Sequence, residues 1–393
     1  MPVNRDRAFK LMKSRGVDAI IASSLENVYY ISDYWSLGKQ LRCGVQTFAL
    51  MPMDGDPAIV APLDELDLIV AGETWIEDVI FYGDLDINVA ESEEVSEQTR
   101  RIIDLYVAAD PEVDAVSALV KALEKRGLTR GVLALDTSGI SPGLFDVLQV
   151  KLPDAKLLRA VDLLQEIRLI KTRLEIERIK RATEITEKSM EDALEIARSD
   201  IMELDMAGMF EYSVAYDHGR VTHNLIGFGG RSALPNPIPT PYVAQRGDTI
   251  RMTLGCTWLH YHSNISRTAI LGRPKSQLKK RWDAVSSAQQ AALNEVRSGA
   301  KLSDVYAAAE RELKDVGMKR FNPHFGHGLG VECNEKPWIK KESGSELIEG
   351  MVVNIDVPYL ELGSGGVQIE DTILVTSDGF ELLTKTERAL YVL

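Results

Sequence analysis

The sequence predicts a protein of two domains, an α/β domain at residues 1–160 and an α+β domain at residues 161–393. Up to about Pro153, short β-branched runs alternate with helical patterns, which is typical of helices packed on a central sheet. Residues 161–200 contain no Pro or Gly and carry apolar residues at helical spacing, which predicts one or two amphipathic helices at the domain junction. Beyond residue 200, helices and antiparallel hairpins come in separate blocks, as in α+β domains.

The individual elements follow from short apolar runs and helical periodicity. In the first domain the predicted strands are DAIIAS (18–23), QTFALMP (46–52), PAIVAP (57–62), DVIFYG (78–83) and GVLALD (131–136), and the clearest helix is VDAVSALVKALEKRG (113–127). In the second domain, helices are predicted at 202–219, 275–299 and 302–317, and hairpins at 247–272 and 351–375.

Composition and charge exclude several classes of partner. The chain has 45% hydrophobic residues but no apolar run of about 18 residues, so no membrane span is expected. The formal charge of -14 repels polyanions, which argues against nucleic acid and anionic membranes and favours a small-molecule partner. The first residues lack a secretory signal, and three scattered cysteines do not form a disulfide framework, so reduced thiols and a cytoplasmic location are expected.

The hairpin at 247–272 carries polar residues on the face that strand alternation turns inward. If its turn centres on Trp258 and Leu259, Thr253 lies opposite Asn264, with Cβ atoms ~5 Å apart. His262 is two residues before Asn264 and shares that face.

The hairpin at 351–375 places two carboxylates together. A Gly-rich turn, LGSGG, joins its strands and sets Asp356 opposite Glu370, each within a run that otherwise favours burial. Because an unpaired buried carboxylate is costly, the pair requires a cation, a metal or a shared proton.

Between the hairpins lies a loop rich in glycine and histidine, NPHFGHGLGVECNEKPW. Glycines on both sides of His327 permit a tight backbone that brings the imidazole close to another group. Cys333 in the same loop is either a nucleophile or a small buried apolar residue.

These motifs resemble the creatinase, prolidase and methionine aminopeptidase family with its pita-bread fold. The matching segments, in order, are FGGRSALPNP, the hairpin at 247–272, HFGHGLGVECNE, GMVVNIDVPY and GGVQIEDTILVTSDGFELLT. Together they span the second domain, and the first domain is similar to the N-terminal domain of creatinase and prolidase. The resemblance implies a homodimer in which a first-domain loop reaches the partner's pocket.

The metal-dependent members carry five ligands, and the resemblance carries each to one position here. The two aspartates fall on Thr253 and Asn264, the histidine on His327, and the two glutamates on Asp356 and Glu370. Because two negative charges are missing, we expect no bound metal cofactor; a single divalent ion at His327, Asp356 and Glu370 is the alternative. Two histidines that the peptidases use at the scissile bond fall on Asn236 and Asn334.

The resemblance to the metal-free members, creatinase and the ectoine hydrolases, implies a hydrolase of a C–N bond in an amidine, an amide or an N-acyl amino acid. The expected catalytic residues are His327, Glu370, Asp356 and His262, because a close carboxylate pair separates into an acid and a base. The expected substrate-binding residues are Asn236, Thr253, Asn264, Asn334, Arg231, Tyr261, Lys39 and Arg42. Two alternatives remain, a non-catalytic pita-bread binding protein and a single-metal peptidase or lyase.

Overall fold

The computed structural model describes residues 1–72, 74–89, 95–316, 318 and 322–393. The chain divides into two compact units, Met1–Arg168 and Leu169–Leu393. The division lies later than the expected boundary after residue 160, because the junction segment forms two helices, the second of the two predicted alternatives. Its first part, Val161–Arg168, belongs to the first unit, and a second helix begins at Arg173 with Thr172 and Glu175 forming a capping box. No helix among the described residues is long and apolar enough to cross a membrane.

The first unit is an α/β layer, as predicted. Its sheet has six strands, and the sequence predicts five of them. Its strands are β1 Ala19–Ala22, β2 Phe48–Pro52, β3 Ala58–Pro62, β4 Val79–Tyr82, β5 Val132–Leu135 and β6 Lys156–Arg159, in the order β4-β3-β2-β1-β5-β6. Its helices are α1 Arg5–Arg15, α2 Leu25–Ser32, α3 Leu37–Gln40, α4 Leu66–Ala71, α5 Glu97–Ala108, α6 Ala115–Glu124, α7 Leu144–Lys151 and α8 Val161–Arg168. The central strands are buried on both faces, which explains their continuous apolar runs.

In the described part of the second unit, four α-helices pack against a ten-stranded sheet. The helices are α9 Arg173–Glu195, α10 Glu203–Tyr216, α11 Ser276–Asn294 and α12 Leu302–Asp315. The strands are β7 Arg220–Phe228, β8 Thr249–Trp258, β9 Tyr261–His262, β10 Ile265–Ile270, β11 His324–Gly328, β12 Glu335–Lys340, β13 Val352–Glu361, β14 Gly365–Val375, β15 Phe380–Leu382 and β16 Tyr391–Val392. The main path through the sheet is β12-β11-β13-β14-β10-β8-β7.

Alternation along the strands separates an apolar face from a polar face. Met252 and Leu254 of β8 pack in one cluster with residues of α9 and α10, and Val353 and Ile355 of β13 pack in another with residues of α11 and α12. The residues between them in sequence therefore point to the opposite face.

The register of the first hairpin differs from the prediction. Thr253 pairs with Ser266, not with Asn264, because the turn centres on Leu259 and His260, which have φ of 44° and 63°. A two-residue turn of this kind usually shows Asn-Gly or Asp-Gly, and neither is present to locate it in the sequence. The shift is two residues, so Thr253 and Asn264 still share a face.

A buried ion pair joins β10 to β14 on the apolar side of the sheet. Arg267 and Asp371 are both fully buried, with Nη2 donating to Oδ1 at 2.7 Å. Asp371 also accepts from Thr384 Oγ1 at 2.7 Å and from Gln289 Nε2 of α11 at 2.8 Å. The pair therefore fixes both strands against α11.

Asp371→Asn removes the countercharge and leaves the Arg267 guanidinium buried. We expect a loss of about 3–5 kcal/mol in the free energy of unfolding, the usual cost of breaking a buried pair. Urea denaturation measures it, with the exposed Asp378→Asn as a control that should change the value by less than about 0.5 kcal/mol. Equal effects of the two substitutions would contradict this role.

Candidate active site

Six neighbouring strands bring polar residues to the face of the sheet opposite the helices. Paired residues of adjacent strands share a face, so the ladder can be followed from strand to strand. The residues on this face include His223 of β7, Thr253 and Gly255 of β8, Ser266 of β10, Gln368, Glu370 and Thr372 of β14, Asn354 and Asp356 of β13, and His327 of β11. They form one continuous polar surface, which is the candidate active site.

Two facing carboxylates lie at the centre of this surface. Asp356 and Glu370 are direct partners in the antiparallel β13–β14 ladder, which confirms the predicted register. The turn between their strands contains Gly363 at φ 84°, in the predicted Gly-rich segment. Glu370 is 1% exposed and Asp356 9% exposed, so neither carboxylate is screened by bulk water.

Three neutral donors hold the Glu370 carboxylate. Its Oε1 accepts from Asn264 Nδ2 at 2.7 Å and from Asn354 Nδ2 at 2.8 Å. Its Oε2 accepts from Ser266 Oγ at 2.9 Å. The orientation of this carboxylate is therefore fixed from three directions.

Asp356 has a different environment. Its Oδ1 accepts from Gln368 Nε2 at 2.8 Å, and Gln368 Oε1 in turn accepts from the buried Arg251 guanidinium and from Thr253 Oγ1. Burial lowers the pKa of Arg251 to about 10, so the guanidinium stays charged at neutral pH. One amide thus stands between this cation and the Asp356 carboxylate.

The two carboxyl groups have raised pKa values. Burial raises both, and the charge of Glu370 raises the pKa of Asp356 further. Hydrogen bonds from Asn354 and Ser266 act in the opposite direction on the pKa of Glu370. Glu370 has more donors than Asp356, which favours the ionised form at Glu370 and the protonated form at Asp356.

His327 lies beside the pair on β11. Its Nε2 is 3.8 Å from Glu370 Oε1, and its Nδ1 donates to Gly328 O at 3.0 Å, which leaves the Nε2 lone pair facing the carboxylates. Burial lowers the pKa of His327, so the ring is neutral. The flanking glycines are required: a Cβ at Gly326 would lie 2.0 Å from Asn354 O, and one at Gly328 would lie 2.2 Å from Lys336 O.

The other predicted site residues divide into those that reach this surface and those that do not. Thr253 and Asn264 contact the carboxylate network as described above. His262 is on the same face two residues nearer the turn, paired with Thr257, and its backbone N–H donates to Gly330 O at 2.8 Å. Asn236 and Asn334 are exposed in the loops after β7 and before β12.

Arg231 and Tyr261 have structural partners away from this surface. Arg231 Nε donates to both oxygens of Glu203 on α10, at 2.9 and 3.0 Å. Tyr261 is fully buried on the helical side, with Arg178 of α9 5.5 Å from its ring centre. Alternation turns the Tyr261 side chain to the opposite face from Asn264, away from the polar surface, and its role in substrate binding stays a prediction.

Lys39 and Arg42 lie in the first unit. Lys39 Nζ donates to Gly139 O at 2.9 Å, and burial lowers its pKa to about 8. Arg42 is exposed at φ 57°. Their predicted contact with a substrate across a dimer stays a prediction.

Sequence reasoning missed several polar members of this surface. Asn354 and Gln368 were detectable, because each is two residues from a predicted carboxylate on the same strand and so shares its face. Ser266 and His223 depend on the corrected register of β8, β10 and β7. For Cys333, burial and the nearby carboxylates of Glu370 and Glu335 raise the pKa of the thiol to about 12, which favours the small buried residue over the nucleophile.

A second buried charge cluster lies at the end of the loop that contains His327. Lys171 Nζ donates to Glu335 Oε2 at 2.8 Å, and the Glu335 carboxylate fills the space that a side chain at Gly330 would need. Nearby Glu175 caps α9, and burial raises the pKa of its carboxyl group to about 7.

The fold and the polar surface define a two-domain pita-bread protein with a buried carboxylate pair and a histidine. Residues 177–377 match the description of Metallopeptidase family M24, and residues 5–170 match the Creatinase/Prolidase N-terminal domain. The chain therefore belongs to metallopeptidase family M24, a family of hydrolases.

Relatives match over nearly the whole chain. The chain is 27% identical to the Xaa-Pro dipeptidase of Pyrococcus horikoshii, covering 98% of this chain and 97% of that protein. It is 28% identical to the Xaa-Pro dipeptidase of Pyrococcus furiosus, covering 98% of each. The crystal structure of the prolidase from Pyrococcus horikoshii OT3 superposes with a TM-score of 0.79 at 26% identity, covering 98% of this chain and 99% of that one.

These comparisons confirm the family and correct the expectation of no metal cofactor. That expectation is wrong because the chain belongs to a family of metallopeptidases and its relatives carry peptidase names. The further expectation, a metal-free enzyme of the creatinase type that is not a peptidase, has no support in them.

The residues present nevertheless do not fit two metal ions. Among the described residues, no group of three or more His, Cys, Asp and Glu side chains is arranged to hold a metal. Thr253 and Asn264 are neutral, and both oxygens of Glu370 accept hydrogen bonds from neutral donors. No step of the reaction is therefore assigned to a metal.

Aspartates introduced at residues 253 and 264 test whether the neutral side chains of Thr253 and Asn264 prevent metal binding. We expect Mn²⁺ to raise the melting temperature of Thr253→Asp/Asn264→Asp, because ion binding would relieve repulsion among the added and native carboxylates. When the Mn²⁺ concentration is a hundred times Kd, the free energy of unfolding increases by about 2.7 kcal/mol. Thr253→Asn, which has the same size without the charge, is the control in differential scanning fluorimetry. An equal response of the control would contradict the prediction.

The raised pKa of Glu175 predicts a pH-dependent stability. The folded state holds this proton up to about pH 7, whereas the unfolded chain releases it near its ordinary value of 4.5. Stability contributed by the protonated group is therefore lost as pH rises between these values, by up to about 1.4 kcal/mol per pH unit. Glu175→Gln keeps the capping acceptor and removes the titration.

We expect the unfolding free energy of Glu175→Gln, relative to the unsubstituted protein, to increase from pH 5 to pH 7 in urea denaturation. Glu177→Gln, on an exposed position of the same helix, is the matched control and should show no such trend. A difference for Glu175→Gln that stays constant across this range would show that its carboxyl group titrates normally.

Proposed function

We propose that the chain is a hydrolase that cleaves the C–N amide bond of a small substrate, a dipeptide or an N-acyl amino acid. The observation that carries this proposal is the facing pair of Asp356 and Glu370, buried beside His327. Two carboxyl groups whose environments separate their pKa values supply an acid and a base at one pH. Family membership supports the hydrolase class, and the relatives' dipeptidase names support an amide substrate.

Glu370 is the proposed base. Three hydrogen-bond donors favour its ionised form and fix its direction, so it can accept a proton from a water molecule. The water oxygen then bonds to the amide carbon, and the carbonyl electrons move onto the oxygen.

Asp356 is the proposed acid. Burial and the Glu370 charge favour its protonated form, so it can give its proton to the substrate nitrogen as the C–N bond breaks. The products are a carboxylic acid and an amine, and Glu370 returns its proton to Asp356 for the next cycle.

His327 is proposed to orient the water. Its Nε2 lone pair accepts a hydrogen bond on the side of Glu370 because Nδ1 is committed to Gly328 O. Asn236, Asn334, Lys39 and Arg42 stay proposed substrate contacts, the last two across a homodimer.

The rival function is a binding protein with no reaction. In a pocket that carries out no reaction, apolar groups can replace buried charges with little or no loss of stability. Retention of two facing carboxylates and a buried imidazole therefore favours the hydrolase.

Hydrolysis assays on Xaa-Pro dipeptides and N-acyl amino acids, with and without Mn²⁺, test the proposal. We expect Glu370→Gln, Asp356→Asn and His327→Gln each to lower kcat by about 10²–10⁴-fold, as for loss of an acid or base. His218→Asn, at an exposed turn residue with φ 65°, is the control and should keep the activity. Thermal unfolding of each variant checks that it is folded.

Two results would contradict the proposed function. The first is the absence of product with every substrate in both metal conditions. The second is equal activity of Glu370→Gln and the control. A thermal shift with substrates but no product would support the binding protein instead.

A further inference from the structure

His223 is a histidine at the edge of the polar surface that no motif in the sequence indicates. It lies on β7 opposite Gly255 of β8, next to a register shift between Val221 and His223. A Cβ at Gly255 would lie 2.2 Å from His223 Cε1 and 2.6 Å from Ser263 O. The imidazole therefore occupies the space over this glycine.

The hydrogen bonds of His223 define one tautomer. Its Nε2 is 3.0 Å from Asn264 Oδ1, and its Nδ1 is 3.1 Å from Thr222 Oγ1. Because Asn264 directs its NH₂ group to the Glu370 carboxylate, its oxygen must face His223, and Nε2 must carry the hydrogen. Nδ1 then accepts from the Thr222 hydroxyl.

The same polarity recurs at the other two amides of the site. Asn354 Oδ1 accepts from Thr372 Oγ1 at 2.9 Å while its NH₂ group donates to Glu370. Gln368 Oε1 accepts from Arg251 while its NH₂ group donates to Asp356. In each case a donor to the amide oxygen keeps the NH₂ group directed at the carboxylate.

We infer that His223 is a positioning residue that orients the Glu370 carboxylate through the Asn264 amide. Without a donor at residue 223, the Asn264 side chain can rotate and present its oxygen to Glu370, which would repel the carboxylate. Glu370 would then keep two of its three donors and lose its fixed direction toward the reacting water. This inference rests on the proposed function, since Glu370 is the base there.

The test compares two substitutions at residue 223. His223→Gln places an amide N–H near the position of Nε2 and preserves the bond to Asn264, whereas His223→Leu fills the space without a donor. We expect His223→Leu to lower kcat on the hydrolysed substrate by about 10–100-fold with KM changed less than about threefold, since misorientation affects the reacting groups more than binding. We expect His223→Gln to restore kcat to within about threefold of the original value.

A second measurement does not depend on activity. Long-range ¹H–¹⁵N NMR of the full chain, with the His223 signals assigned by comparison with His223→Gln, should show the Nε2–H tautomer at pH 7. An Nδ1–H tautomer, or a rapidly exchanging mixture, would overturn the inference even if no substrate is found.

The two readouts separate the possible failures. Equal loss of kcat in His223→Leu and His223→Gln, with hydrolysis by the unsubstituted protein intact, would overturn the positioning role and leave the proposed function standing. No hydrolysis by the unsubstituted protein, with the Nε2–H tautomer present, would overturn the proposed function and, with it, the role of His223 in catalysis.

Discussion

The buried Arg267–Asp371 pair is the contact on which the geometry of the site depends. Both residues are on the helical side of the sheet, each directly next in sequence to a site residue, Ser266 and Glu370. The guanidinium also donates to the backbone oxygens of Ser266 and Glu370, at 3.0 and 2.8 Å. A charge pair on one face therefore fixes the register that sets hydroxyl against carboxylate on the other face.

Asp356 and Glu370 are similarly buried, but the hydrogen bonds around them differ. Both are buried and their pKa values are raised for that reason, but Glu370 accepts three neutral hydrogen bonds where Asp356 accepts one from Gln368. Hydrogen bonds to the ionised form favour ionisation, so they favour the carboxylate at Glu370 over that at Asp356. The proposed division into acid and base therefore rests on the number of donors and not on the identity of either residue.

Much of this could be predicted from the sequence. The facing of Asp356 and Glu370 follows from strand alternation about a Gly-rich turn, and the position of His327 follows from its two glycines. The partners of Thr253 could not be predicted, because the turn at Leu259 and His260 uses positive φ without a glycine or asparagine. The position of the Tyr261 side chain could be predicted, because it is the strand neighbour of His262 and adjacent residues of a strand point to opposite faces.

The role of His223 could not be predicted from the sequence at all. Its position depends on a register shift in β7, on the absence of a side chain at Gly255 and on the identity of Asn264, three features from separate parts of the chain. None of them is informative alone, because a histidine on a strand and a glycine on its neighbour are both ordinary.

The three amides of the site behave as a set, because each is polarised in the same sense by a donor behind it. An amide has both a donor and an acceptor, so it can support a carboxylate only if its orientation is imposed. Thr372, Arg251 and His223 impose it for Asn354, Gln368 and Asn264. An ionised aspartate at residue 264 could not support Glu370 in this way, since both of its oxygens are acceptors. The roles of His223 and Asn264 therefore depend on each other. Because His223 donates to the Asn264 oxygen, the N–H groups of Asn264 stay directed at Glu370.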